Sequence, residues 1–179
     1  MNLRKMLTRS ISETVSCVRT FAPLRQGLRI LMYHAIGYPA LGDQLGIFSL
    51  SPVRFLEHIT YLSDHYSDQL VDLAPDFNWD NAPRIAITFD DDYLDNLKVA
   101  APLLAKRQMP FTVFVTADFV RQHRPGFMAP ADLRELASML NVRIGAHGAT
   151  HIPLSGCTDA ILRQELADSR QLSGRSSRI

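Results

Sequence analysis

Cysteine is scarce in this sequence, and its scarcity excludes a disulfide-stabilised fold. Only Cys17 and Cys157 occur among the 179 residues, far apart along the chain. Two cysteines in a chain of this length form no disulfide framework, so we expect both to be free thiols. Free thiols favour a reducing compartment.

Charge of one sign is also lacking. The 19 basic and 18 acidic residues leave a net charge of +1. Proteins that act mainly on nucleic acid carry a clear basic excess or patch, so the sequence predicts no nucleic-acid partner. The one local bias is basic, in residues 1–27. We interpret these residues as a leader that can form a helix, either frayed or packed on the domain, rather than a membrane-surface anchor.

Long apolar runs are absent as well. No stretch reaches the roughly 20 apolar residues that a transmembrane helix needs, so we expect no transmembrane segment. Polar residues interrupt the region after Arg9, where a secretory signal would have its apolar part. The sequence therefore favours a cytoplasmic location.

What the chain does have is an ordinary globular composition, with 46% hydrophobic and 21% charged residues. Strand patterns alternate with helical patterns from residue 28 onward, which predicts parallel strands in an open sheet or a barrel. Pro102 interrupts one helical pattern and predicts a kink or a late start. The predicted strands are Leu28–Tyr33, Gln69–Leu73, Arg84–Phe89, Phe111–Thr116 and Val142–Ala146, and the predicted helices are 52–64, 95–107, one opening at Pro130 and carrying Leu140, and 158–172.

Two polar clusters follow predicted strands at their carboxyl ends. Asp90, Asp91 and Asp92 follow one strand, and a His-x-x-x-His pattern, His147 to His151, follows another. The carboxyl ends of parallel strands meet at the edge that holds the active site in α/β folds. We therefore expect the two clusters to face one another.

Two imidazoles and one carboxylate suit zinc and neighbouring transition metals. Three protein ligands leave coordination positions open, which is typical of catalytic sites. The remaining aspartate can act as the base that takes a proton from the attacking water.

Each cluster taken alone has an ordinary structural explanation, since acidic runs often lie in solvated loops and paired histidines often lie on surfaces. Their joint position at strand ends favours a site. His34 ends the first strand, where it is either a structural histidine or a supporting residue of that site. We expect Asp92 to be a solvated turn residue, and His58, His65 and His123 to be exposed.

These motifs resemble those of the polysaccharide deacetylase family, the NodB-homology domain of carbohydrate esterase family four. Thr88–Asp92 matches the motif Thr-Phe-Asp-Asp-Gly at four of five positions, and His147–His151 matches both histidines of His-(Ser/Thr)-x-x-His. The resemblance extends over residues 28–172, with supporting stretches at Arg29–Gly37, Phe111–Thr116 and Ile144–His147.

The resemblance implies an incomplete, distorted (β/α) barrel and a hydrolase that removes N-acetyl or O-acetyl groups from polysaccharide or amino-sugar oligomers. It implies that Asp90 is the catalytic base. It also implies that Asp91, His147 and His151 bind a divalent metal, with Zn²⁺ expected and Co²⁺ or Ni²⁺ as alternatives. The implied partner is an acetylated polysaccharide or oligosaccharide substrate.

The sequence departs from the family pattern in three ways. Asp92 replaces the glycine of the first motif, and Gly148 replaces the serine or threonine of the second. The later motifs, one of which supplies the general acid, are absent before the polar tail at 173–179. We therefore expect a C-terminally truncated family member whose own activity is in question. The alternatives are an inactive metal-binding remnant, an amidase on a small non-sugar amide and, ranked lowest, a non-haem iron oxygenase.

Overall fold

The computed structural model describes residues 26–37, 43, 45–74 and 82–176, and for 172–176 it describes only the backbone. Most of the predicted leader, Cys17 and the end of the predicted tail lie outside these residues. The strands are β1 (Gly27–Tyr33), β2 (Ala35–Ile36), β3 (Ser49–Leu50), β4 (Pro83–Phe89), β5 (Phe111–Val115) and β6 (Val142–Ala146). The α-helices are α1 (Pro52–Tyr66), α2 (Ala101–Ala105), α3 (Ala117–Arg121), α4 (Pro130–Ala137) and α5 (Asp159–Ser176).

Four of the strands form one parallel sheet in the order β1-β4-β5-β6. Central strand β4 has five consecutive buried residues, from Ile85 to Phe89. A continuous apolar run of this kind is expected where helices cover both faces of a parallel sheet. Strands β2 and β3 form a separate short parallel pair.

The fold class predicted from the sequence is confirmed. The sheet is parallel, its strands alternate with helices, and within the described residues it stays open between β1 and β6 instead of closing into a barrel. Because all four strands run the same way, their carboxyl ends lie together at one edge.

Helix α1 begins where the sequence predicts. The Ser51 hydroxyl accepts the Arg54 N–H at 3.3 Å, and Pro52 occupies the first turn, where its missing N–H costs nothing. Phe55, Ile59 and Leu62 form the buried stripe of the helix. This stripe packs α1 into the same core as β4.

The helix predicted at 95–107 contains the irregularity that Pro102 predicts. A π-helical turn spans Asn96–Ala100, with the Ala101 N–H bonded to the Asn96 carbonyl, and α2 follows. Pro102 then lies in the first turn of α2, where a proline is tolerated. The wider turn therefore adapts the helix to the proline.

Three details of the sequence prediction are wrong. Residues 69–73 form no strand, and only an isolated bridge joins Leu70 to Ile85. Leu140 lies beyond α4 and is 85% exposed. The backbone stays helical through Ser176, so the first residues of the predicted tail belong to α5.

Within the part of the chain that is described, no helix is long and apolar enough to cross a membrane.

Candidate metal centre

The two polar clusters predicted from the sequence lie at the same edge of the sheet. Asp90 leaves β4 while its N–H still donates to the Tyr33 carbonyl at 2.9 Å. His147 leaves β6 while its N–H donates to the Val115 carbonyl at 2.9 Å. The first hydrogen bond extends the pairing of β4 with β1 by one residue, and the second extends the pairing of β6 with β5. They fix where the chain turns away from β4 and from β6.

A left-handed turn directs the aspartates after β4. Asp91 and Asp92 have φ angles of 69° and 44°. Aspartate enters this region more readily than most residues because its side chain is short and polar. Along a strand, neighbouring side chains point to opposite faces of the sheet. The left-handed turn ends this alternation, so the side chains of neighbouring aspartates no longer have to point to opposite faces.

Three of the predicted site residues converge. The Asp91 Oδ1 lies 3.1 Å from the His147 Nε2 and 2.9 Å from the His151 Nε2. One ligand atom from each residue lies within 4.8 Å of the others, while the carboxylate is buried and the rings are partly accessible. This arrangement leaves the cluster approachable from one side.

The chemistry of the cluster fits a metal ion. Asp91 Oδ1 is buried, and among the described residues its close neighbours are the two imidazole nitrogens, at 3.1 and 2.9 Å, neither of which counts as a hydrogen-bond partner. An orphaned buried carboxylate oxygen is costly unless a cation or donor satisfies it. A carboxylate and two imidazoles that point at one place form a ligand set of the zinc type.

The charges of the cluster are mutually dependent. Burial alone would raise the pKa of Asp91, but the adjacent imidazoles of His147 and His151 outweigh it and hold that pKa below its ordinary value. The contact with Asp91 raises the pKa of His147, although burial of the ring opposes the rise. Asp91 is therefore held in the anionic form that a metal ligand requires.

Asp90 lies beside the cluster but is not one of its converging ligands. Burial raises the pKa of its half-buried carboxyl group, and the charges of His147 and His34 act in the opposite direction. His34 therefore lies on the same rim, as one of its two predicted roles requires, and its ring packs against Phe48 with a centroid distance of 5.0 Å.

Asp92 is not the solvated turn residue that the sequence predicted, because it is fully buried. Its Oδ1 accepts the Thr116 N–H at 2.8 Å, and its carbonyl accepts the Met128 N–H at 2.9 Å. Burial raises the pKa of Asp92 to about 8. Asp92 thus ties the aspartate turn to the end of β5, while His58, His65 and His123 are exposed as predicted.

Sequence reasoning missed Glu165, which lies on α5 and is 5% exposed. Its carboxylate accepts the N–H groups of Ala149 and Thr150 and the Thr150 hydroxyl. The sequence carries no signal for this role, because a glutamate on a helix is ordinarily expected to be exposed. The apolar Ile161 and Leu166 on the same helix are about half exposed.

Comparisons with known proteins identify the family of this chain. The family model described as polysaccharide deacetylase matches residues 78–173, more than half of the chain. The Bacillus subtilis protein named "Putative polysaccharide deacetylase YxkH" is 29% identical over 166 residues, which are 89% of this chain and 55% of that protein. The chain therefore spans about half the length of that relative.

Solved deacetylase structures share the fold. Streptococcus pyogenes deacetylase PplD, solved in complex with acetate, has a TM-score of 0.69 at 19% identity, over 87% of this chain and 70% of that one. The polysaccharide deacetylase BC0361 from Bacillus cereus has a TM-score of 0.67 at 23% identity, over 86% of this chain and 49% of that one. With the family match over both motifs, the chain belongs to the polysaccharide deacetylase family.

Proposed function

We propose that residues 28–172 form a metal-dependent hydrolase domain that removes N-acetyl groups, or O-acetyl groups, from polysaccharide or amino-sugar oligomers. The observation that carries the proposal is the convergence of Asp91, His147 and His151 beside Asp90. Family membership supplies the reaction class, deacetylation of polysaccharide. Removal of an N-acetyl group cleaves a carbon–nitrogen bond that is not a peptide bond.

Zinc is the metal that the ligand set favours, with cobalt or nickel able to replace it. When bound, the cation supplies Lewis-acid polarisation of the acetyl carbonyl. The chain contributes one carboxylate and two imidazoles, and the partly exposed rims of His147 and His151 leave room for a substrate.

Asp90 is the proposed catalytic base. Its carboxylate is free of the three-ligand cluster and lies at the same strand edge, so it can take a proton from the attacking water. Burial of this carboxyl group raises its pKa, which makes it a stronger base than an exposed aspartate.

A metal-binding protein without turnover is the second candidate. It requires the cluster of Asp91, His147 and His151 but no catalytic base. An amidase acting on a small non-sugar amide would use the same cluster and would differ only in its substrate.

The experiment is an acetate-release assay with zinc-loaded chain on acetylated chito-oligosaccharide and on a small acetamide. Asp90→Asn removes the proposed base but none of the three ligand atoms. We expect it to lower kcat/KM by at least about a hundredfold, since a general base commonly contributes that much, while zinc stays bound. His123→Asn is the matched control because His123 is exposed and asparagine tolerates its positive φ.

Acetate release from the oligosaccharide that falls in Asp90→Asn and survives in His123→Asn supports the proposal. Release only from the small acetamide supports the amidase. Zinc binding with no release from either substrate contradicts the enzymatic proposal and supports the second candidate.

A further inference from the structure

The segment between the two predicted histidine ligands is hydrogen-bonded to Glu165, which lies on helix α5. Its Oε2 accepts the Ala149 N–H at 2.9 Å and the Thr150 N–H at 3.0 Å, and its Oε1 accepts the Thr150 hydroxyl at 2.7 Å. One carboxylate thus satisfies three donors within the five residues that run from His147 to His151.

The opposite side of this segment is held by α3. The Ala117 N–H donates to the Gly148 carbonyl at 3.2 Å, and the Asp118 N–H donates to the Ala149 carbonyl at 2.9 Å. The segment is therefore bound through its carbonyls on one side and through its N–H groups and a hydroxyl on the other. Neither set of hydrogen bonds comes from a side chain at position 148, since that residue is glycine with a φ of 81°.

The burial of Glu165 shows that the carboxylate is an integral part of this arrangement. A carboxylate that is 5% exposed is tolerated only where hydrogen bonds replace water. Burial by itself would raise the pKa of Glu165, but the hydrogen bonds from Thr150 and Ala149 outweigh it and lower that pKa. The carboxylate stays charged, and charge-assisted hydrogen bonds are the strong ones.

We propose that Glu165 is a positioning residue that fixes the spacing and orientation of His147 and His151 and so sets the affinity of the metal centre. This inference rests on the proposed metal centre. Glu165 itself touches neither the metal nor the substrate. Its hydrogen bonds hold the segment in place, which the residue at position 148 cannot do with a side chain because it is glycine.

The test compares Glu165→Ala, Glu165→Gln and the control Gln164→Ala, which shortens an exposed side chain on the same helix. Zinc affinity is measured by competition with a chelator, and the visible absorption of the Co²⁺-loaded chain reports ligand geometry. Circular dichroism and urea unfolding establish that each variant is folded.

We expect Glu165→Ala to weaken zinc binding about tenfold to a hundredfold, the usual cost of losing a group that orients a metal ligand, and to alter the Co²⁺ spectrum. Glu165→Gln should restore affinity toward the wild-type value. Its amide oxygen can accept the two N–H groups, and its amino group can donate to the Thr150 hydroxyl. Gln164→Ala should change neither reading.

A folded Glu165→Ala chain with wild-type zinc affinity and an unchanged Co²⁺ spectrum overturns the inference and leaves the proposed function intact. A folded wild-type chain that binds no zinc overturns the metal centre and this inference with it. If Glu165→Ala does not fold, the same measurements on Glu165→Asp test the inference. Aspartate keeps the negative charge, but its side chain is one methylene shorter, so its oxygens lie farther from the three donors. Unchanged affinity and spectrum in that variant overturn the inference, and weakened affinity with an altered spectrum supports it.

Discussion

Asp91 and Asp92 differ in environment although they are neighbours in the sequence. Asp91 meets two imidazoles at its Oδ1, whereas Asp92 turns into the protein and bonds the Thr116 N–H. The resemblance of Thr88–Asp92 to the family motif implied that Asp91 is a metal ligand. It could not predict the second, because burial of Asp92 depends on how β5 and the segment before α4 pack against the turn.

Asp43 illustrates how a single carboxylate organises a segment near the site. It accepts the N–H groups of Ile47 and Phe48 and the Ser49 hydroxyl, each at 2.9 Å. Phe48 in turn packs against His34. Burial opposes ionisation of Asp43, but these hydrogen bonds outweigh it and hold its pKa below the ordinary value.

We expect Asp43→Asn to lower the free energy of unfolding at pH 7 by about 1 kcal/mol. The amide offers one acceptor in place of two, and the freed N–H groups remain partly accessible to water. Because the folded pKa is lowered, the carboxylate contributes its full stability above the unfolded pKa of about 3.9. That contribution is lost as the pH falls through the folded pKa.

Urea unfolding of the metal-free chain between about pH 3 and pH 7 checks this expectation. The difference between wild type and Asp43→Asn should shrink at the acidic end. Asp64→Asn on the exposed face of α1 is the control and should show no such trend. A difference that stays constant with pH would contradict the account of Asp43.

At the scale of elements, the strongest patterns were predicted correctly. Strands β4 and β5 are continuous apolar runs, and α1 has both a serine cap and a proline in its first turn. The π-helical turn before α2 could be predicted only as an irregularity, because Pro102 restricts the helix without specifying how the helix adapts. Helix α3 was missed because its five residues are too few to show a helical period.

The pairing of β5 with β6 depends on a glycine. Gly145 lies opposite Phe114, and a Cβ at position 145 would approach the Phe114 ring to 2.4 Å. No ordinary contact is so short, so the ring or the strand would have to move. Gly145 thus supports the strand that leads to His147.

We expect Gly145→Ala to destabilise the chain by about 1–3 kcal/mol, the usual cost of overpacking. Gly156→Ala is the matched control, since a Cβ there meets no atom within 4 Å. Combining Gly145→Ala with Phe114→Leu should recover part of the loss if the clash is its cause. Equal stability of the two single variants in urea unfolding would exclude the clash.

At the scale of the whole molecule, the described residues build a sheet with exposed apolar side chains on an edge strand. Ile30 and Met32 on β1 are 53% and 59% exposed, and β1 is the outer strand of the sheet. Edge strands with exposed apolar residues pair readily with other chains. We therefore expect this chain to associate with itself at high concentration.

Ile30→Lys should reduce that association, because a lysine on an edge strand opposes pairing. Sedimentation velocity over a range of concentrations measures it. Ile161→Lys is the control, with the same chemical change at a site on α5 that is 46% exposed. Association that is absent in the wild type, or reduced equally by both substitutions, would contradict the assignment to β1.

The central claim is that Asp91, His147 and His151 form a metal centre in this chain. Its most direct test is the zinc content of purified, folded chain after equilibration with zinc and removal of excess, in wild type, Asp91→Ala, His147→Ala and the control His123→Asn. The account predicts stoichiometric zinc in the wild type and in the control, and its loss in the other two variants. A folded wild-type chain without zinc, or zinc retained in Asp91→Ala and His147→Ala, would contradict it.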